Sequence, residues 1–333
     1  MKKLLFLLIL IFPAIILNGQ TKKSPNKEIV KTTYTYKEVD GIKIKADLYK
    51  FKDEDSLRPV IVWLHGGALI WGSRDRLPAE QMKFYLDAGY SVISIDYRLA
   101  PETKLHEIVE DIKDAITWIR NNGEKQLQID KNNVFVVGHS AGSYLALMTG
   151  YILEDPPQAI VSFYGYGNIA ADWYNKPDPY YSTWDTIEKE RAYQLIGDSP
   201  ITSALYGDRF DFYLYCRQTG LWTKNVAGID PSKEPEKLKV FCPLKNIHSK
   251  YPPTLLIHGD KDTDVPILQS QLMTKELTKN KIENRMITMP GYGHVFDIAE
   301  GGLGNEDIRK VFENVIEFFD KHRESRTQPD DEN

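Results

Sequence analysis

The chain has 333 residues, 42% hydrophobic and 27% charged, an ordinary globular composition that excludes fibrous, low-complexity and wholly disordered proteins. Forty-two Lys+Arg against 47 Asp+Glu give a net charge of −5, which leaves no general attraction for phosphate backbones and argues against a nucleic-acid partner. Two cysteines are too few for a disulfide scaffold.

Residues 1–19 read as a secretory signal peptide. Lys2 and Lys3 supply the positive start, Leu4 to Leu17 is apolar apart from Pro13, and Asn18-Gly19-Gln20 follows. The apolar run is shorter than the ~20 residues a bilayer span needs, so no stable membrane anchor is expected. The mature protein is therefore expected to be secreted or periplasmic, and loss of the two lysines takes its charge from −5 to −7. Export would carry Cys216 and Cys242 into an oxidising compartment, where they either pair or stay as buried free thiols.

Thr32–Glu38 and Ile42–Tyr49 alternate apolar or β-branched with polar residues about the turn dipeptide Asp40-Gly41, which predicts an antiparallel hairpin. Short continuous apolar runs follow at Val60–Leu64, Ser91–Ile95, Val134–Val137, Ile160–Tyr164, Thr254–His258 and Met286–Met289. Between them, helical periodicity covers Ala79–Ala88, Leu105–Asn121, Ala141–Leu153, Leu268–Asn280 and Glu306–His322. Strands that are apolar on both faces and alternate with helices mean an α/β fold with a mostly parallel sheet flanked by helices.

The rhythm breaks between Gly165 and Lys250, where aromatics are dense (Trp173, Tyr181, Tyr206, Phe210, Tyr213 and Trp222 among them). This is far longer than the ~2–6 residues a strand-to-helix connection needs, so it reads as an inserted cap subdomain, about 165–250, within one α/β domain over 30–322. Its aromatics are read first as the cap's own core and second as walls for a substrate. The charged, polar segment 323–333 reads as a disordered tail.

Gly138-His139-Ser140-Ala141-Gly142 fits G-x-S-x-G between a predicted strand and a predicted helix. A sharp strand-to-helix turn of this kind holds a serine hydroxyl exposed at the sheet edge. A serine needs a base, and His294, in the loop Gly291-Tyr292-Gly293-His294 after the last strand, has the right setting. The base in turn needs an acid, for which Asp260, Asp262 and Asp264 all follow the strand Thr254–His258. His65-Gly66-Gly67-Ala68, after the strand Val60–Leu64, can turn main-chain N–H groups toward a developing oxyanion, joined by the N–H of Ala141. With no H-E-x-x-H, no cysteine pair at zinc spacing and no G-x-x-x-x-G-K, no metal or nucleotide cofactor is expected.

Together with Trp71-Gly72, Asp96-Tyr97-Arg98-Leu99-Ala100-Pro101-Glu102 and His258-Gly259-Asp260-Lys261-Asp262, these segments resemble the α/β-hydrolase esterases with an H-G-G loop, the hormone-sensitive-lipase-like and carboxylesterase-like branch. The resemblance implies the α/β-hydrolase fold and singles out Asp262 as the acid of a Ser140-Asp262-His294 triad. It also implies Gly67, Ala68 and Ala141 as oxyanion donors. Asp260 and Asp264 are then expected to bond within the turn or face water, and Arg98 and Glu102 to brace the loop beside the site. The implied activity is hydrolysis of carboxylic esters, short-acyl small molecules first, through an acyl-enzyme. Acetyl-sugar or feruloyl esters of a polysaccharide, and amides or formamides, are the alternatives; an inactive binding protein is the rival of another kind. Turnover is expected to rise with pH near the free-histidine value of ~6.5.

Overall fold

A computed structural model describes residues 27–54 and 56–324. The signal-peptide expectation at 1–19 and nearly all of the tail expected at 323–333 lie outside the described residues. Among those described, no helix is long and apolar enough to cross a membrane.

Among the described residues, eight strands form one sheet: β1 (Ile29–Val39), β2 (Ile42–Phe51), β3 (Arg58–Leu64), β4 (Ser91–Ile95), β5 (Ile129–His139), β6 (Ile160–Phe163), β7 (Thr254–Gly259) and β8 (Asn284–Met289). Their spatial order is β1-β2-β4-β3-β5-β6-β7-β8. The hairpin β1–β2 is antiparallel, and Asp40 and Gly41 both take positive φ at its tip, the geometry of a tight two-residue turn. β2 also runs antiparallel to β4, whereas every pairing from β4 through β8 is parallel.

Strand residues alternate between two cores. Val60, Val62 and Leu64 of β3 pack on the face covered by α2 (Leu105–Asn122), α3 (Ala141–Ile152) and α8 (Leu268–Lys279). Ile61 and Trp63 pack on the face covered by α1 (Ala79–Asp87), α9 (Phe296–Ala299) and α10 (Glu306–Lys321). Both faces are dry, which is why the strands read as continuous apolar runs. The α10 stripe Ile308, Val311, Phe312, Val315, Phe318 and Phe319 is buried as its periodicity predicts.

The segment between β6 and β7 contains α4 (Asp172–Asn175), α5 (Lys189–Ala192), α6 (Tyr206–Thr219) and α7 (Trp222–Ala227). Phe212, Tyr213 and Trp222 join the first core, so this segment is continuous with the sheet domain's interior.

Strand order decides where the site forms. After β3 the chain pairs β4 on one side, then crosses to add β5 on the other. The loops leaving β3 and β5 therefore diverge, and a crevice opens beyond their carboxyl ends. The loop His65–Ala68 leaves β3, and Ser140 follows β5 directly.

Candidate active site

Ser140 occupies the turn between β5 and α3 with φ 55° and ψ −118°, a conformation that a non-glycine residue holds only under outside constraint. The constraint is steric. A β-carbon at Gly138 would stand 2.2 Å from Gly142 O, and one at Gly142 would stand 2.2 Å from Leu64 O and 2.3 Å from His65 O. Only bare backbone lets α3 start against both its own strand and the end of β3. Gly66 closes the packing from the other side: its β-carbon would meet His139 O at 2.8 Å and Ser140 Cβ at 3.2 Å.

The structure brings the three predicted side chains together from the ends of β5, β7 and β8. Ser140 Oγ lies 3.0 Å from His294 Nε2, and His294 Nδ1 lies 2.6 Å from Asp262 Oδ2. The other carboxylate oxygen, Asp262 Oδ1, accepts the main-chain N–H groups of Asp264 and Val265 at 2.9 and 2.8 Å. Burial would raise the Asp262 carboxyl, but the charge of His294 and hydrogen bonds from His258 and His294 hold it well below the usual carboxylate range. An ionised Asp262 fixes the His294 proton on Nδ1 and leaves Nε2 free to accept from Ser140.

His258 is the second imidazole on this acid, a contact that reading along the chain did not find. Its Nε2 lies 3.2 Å from Asp262 Oδ2 and 3.0 Å from Val265 O, and its Nδ1 lies 2.7 Å from Ser270 Oγ. Two pure acceptors on Nε2 place the proton there, so Ser270 donates to Nδ1 and the ring is locked.

Beneath His294, Tyr164 meets the imidazole edge-on with ring centroids 4.6 Å apart and donates its hydroxyl to Asp297 Oδ1. The fully buried Asp297 also accepts from Gln81 Nε2 at 2.7 Å and lies 3.1 Å from His139 Nε2. Tyr164 sits at the carboxyl end of β6, where the other site residues also cluster, and that position was its only sequence signal.

Gly67 and Ala68 line the same cleft as Ser140 and His294, and Ala141 is the first residue of α3. The loop's carbonyls are turned elsewhere. Gly67 O accepts from Ile70 and Trp71, and Ala68 O accepts from Trp222 Nε1 at 3.1 Å. The N–H groups of Gly67 and Ala68 find no acceptor among the described residues. His65 is buried and stacked on Tyr97 at 4.2 Å, and burial pushes its imidazole down to about 4. It is therefore a neutral brace at neutral pH.

Arg98 and Glu102 do brace the neighbouring loop. Arg98 forks onto Asp111 at 2.8 and 2.9 Å, and Glu102 Oε1 accepts from Arg209 at 2.8 Å and from Gly197 N at 3.0 Å.

Asp264 corrects the expectation for its side chain. Its Oδ1 accepts from Tyr181 and Tyr213, and from Arg217 Nη1 at 2.9 Å, all three in the inserted segment. Its Oδ2 lies 3.4 Å from His294 Nε2. These partners are 47 or more residues away along the chain, so nothing local to the turn announced them. Asp260 does less: its Oδ1 accepts from Gly291 N at 2.7 Å and ties the turn to the histidine loop.

Asp264 also moves the pH expectation. Burial would lower the His294 pKa, but Asp262 and Asp264 outweigh it and raise the value above that of a free histidine.

The cleft encloses about 740 Å³, enough for a small ligand. The aromatics of 165–250 divide between core and wall. Tyr174 stacks on Trp222 at 4.0 Å inside the segment, whereas Tyr181, Tyr206, Phe210 and Tyr213 line the cleft. Cys216 and Cys242 are separate, buried free thiols.

Two family matches divide the chain: BD-FAE over residues 46–205 and the prolyl oligopeptidase family over residues 209–326. Among solved structures, a Staphylococcus aureus protein of unknown function is similar with TM-score 0.69 and 23% identity, covering 88% of this chain and 98% of that one. An α/β-hydrolase superfamily protein from Enterococcus faecalis aligns with TM-score 0.66 and 21% identity, over 88% of this chain and 99% of that one. Propionate-bound esterase Est2 from Thermogutta terrifontis gives TM-score 0.62 and 21% identity, over 87% and 94%. The non-reducing polyketide synthase adrD of Penicillium rubens is 28% identical over 352 residues, covering 91% of this chain. This chain spans only 14% of that synthase's length.

Proposed function

We propose, from the premise that this chain is an α/β-hydrolase of the esterase type, that it cleaves short-acyl carboxylic esters through an acyl-enzyme on Ser140. One observation carries the reading: the relay of 3.0 Å from Ser140 Oγ to His294 Nε2 and 2.6 Å from His294 Nδ1 to Asp262 Oδ2, opening on the cleft. Ser140 Oγ attacks the ester carbonyl as its proton passes to Nε2. The new positive charge on His294 is held against ionised Asp262. The carbonyl oxygen becomes an oxyanion facing the N–H groups of Gly67, Ala68 and Ala141. Collapse breaks the bond to the alcohol oxygen, which takes the proton from Nε2, and Ser140 keeps the acyl group. Water then enters where the alcohol left and its oxygen bonds the acyl carbon as Nε2 takes one of its protons; the Oγ–acyl bond breaks, Ser140 Oγ recovers the proton from Nε2, and the acid departs.

A short acyl group suits a cleft of this size walled by Trp71 and the insertion's rings. It is in keeping with a fold relative described with propionate and with butyrate bound. The test is fluorophosphonate labelling together with p-nitrophenyl acetate turnover. Wild type should take one label per chain and turn over. Ser140→Ala should do neither while keeping its far-UV circular dichroism; a labelled or active Ser140→Ala would remove the nucleophile.

A second reading, esters of sugars or of feruloyl groups on polysaccharide, is favoured by an exposed ring ledge. Tyr180, Trp184 and Tyr206 are 42%, 42% and 47% exposed, and Phe210 links Trp184 and Tyr206 with centroids at 5.8 and 4.7 Å. Exposed rings continuous with a cleft mark a binding surface. Acetylated xylan and a feruloyl ester beside p-nitrophenyl acetate separate the two readings. Export of the protein, proposed from the charge and apolar pattern of residues 1–19, suits a substrate outside the cell.

A further inference from the structure

The carboxylate of Asp264 is held in the catalytic cleft with one oxygen occupied and the other available. The donors that the insertion sends to the carboxylate, Tyr181, Tyr213 and Arg217, all reach Oδ1, and Arg217 also donates to the main-chain carbonyl of Asp264 at 3.0 Å. Arg217, 1% exposed, also pairs with Asp178, so two carboxylates share one guanidinium and the cluster retains one net negative charge. Oδ2 faces His294 Nε2 at 3.4 Å, and the side chain is 19% exposed to the cleft.

Nε2 is the atom that must hand its proton to the departing alcohol oxygen. An oxygen ~3 Å from Nε2 lies no more than about 6.4 Å from Oδ2, which is itself 3.4 Å from Nε2. The alcohol half of the substrate therefore leaves past a carboxylate with spare acceptor capacity. The other charges lining the cleft, Asp75 and Arg76, are of opposite sign and exposed to water, where salt and solvent screen them.

We infer that Asp264 is a specificity-determining residue for the alcohol half of the ester: it favours alcohols bearing a cationic or hydroxyl donor and disfavours those bearing an anion. This rests on the ester-hydrolase reading above. A charge a few ångströms from the leaving oxygen in a half-dry cleft is expected to change kcat/KM by about tenfold per unit of substrate charge.

The test compares acetylcholine, its uncharged isostere 3,3-dimethylbutyl acetate, and 3-acetoxypropanoate, each rate divided by that ester's own alkaline hydrolysis rate. Turnover of the uncharged isostere tests the hydrolase reading alone. Wild type should prefer the cation over the isostere and the isostere over the anion, by about tenfold at each step, and Asp264→Asn should bring both steps within about threefold. A wild type indifferent to charge, or an Asp264→Asn that keeps the preference, overturns the inference. Should Asp264→Asn fail to fold, Asp75→Asn decides: preference retained there supports Asp264, and preference lost there overturns it.

Discussion

Replacing Gly66 by alanine tests whether contact between the β3 loop and the serine turn sets the catalytic geometry. The added β-carbon would stand 2.8 Å from His139 O and 3.2 Å from Ser140 Cβ, against an ordinary contact of 3.4 Å. Separation must therefore grow by about 0.6 Å, from 2.8 to 3.4 Å. The serine side has little room to yield, because α3 is packed so closely on the end of β3 that even a β-carbon at Gly142 would stand only 2.2 and 2.3 Å from Leu64 O and His65 O. The loop moves instead, carrying the N–H groups of Gly67 and Ala68 away from the proposed oxyanion position. Misplacement by ~1 Å typically costs ~10²-fold, so about 0.6 Å should lower kcat by roughly 10- to 50-fold, or about 1.4–2.3 kcal/mol of barrier. Complete loss of one donor, ~10²–10³-fold, is the ceiling. KM should change little, since these donors act on charge that develops only in the transition state. The overpacking itself should lower stability by about 1–3 kcal/mol. The assay is kcat and KM on p-nitrophenyl acetate, corrected for active sites by fluorophosphonate titration, with a urea melt alongside. A folded Gly66→Ala with wild-type kcat, or with its whole loss in KM, would refute the argument.

Turnover of an uncharged ester should rise with pH as the His294 imidazolium loses its proton, with a midpoint above ~6.5 because Asp262 and Asp264 favour the charged ring. Asp264→Asn removes one of those negative neighbours, so its midpoint should fall; a midpoint moving upward would contradict the assignment. The two thiols should be silent toward Ellman's reagent in the native protein and both react in guanidinium chloride, since both are buried and burial pushes Cys216 up to about 12. Fast native reaction of either would show that this thiol is not packed away as described.

The serine turn was legible in the sequence because its causes are local. Gly138, Ser140 and Gly142 stand within five residues, and the strained turn they form needs those small residues wherever it occurs. The parallel strands were legible too, since burial on both faces leaves continuous apolar runs such as Val60–Leu64. His294 could be named from its loop after the last strand, and the choice among Asp260, Asp262 and Asp264 came from a family resemblance.

Other features have no local cause. That β4 and β5 flank β3, opening the crevice where the site forms, follows from the order of crossovers. The buttress of Tyr164 and Asp297 spans 133 residues, and the Arg217–Asp264 contact spans 47. The first is made by segments that meet only once the sheet has assembled, the second only once the insertion folds over it. The same is true of the insertion's aromatics, whose division into core and cleft wall depends on which face of each short helix meets the sheet domain. Conformational preferences act over a few residues and so leave a mark in the sequence, as the serine turn does. Electrostatic and packing partners act through space, so the charge beside His294, and with it the ring's pKa and the proposed choice of alcohol, was decided by the tertiary structure alone.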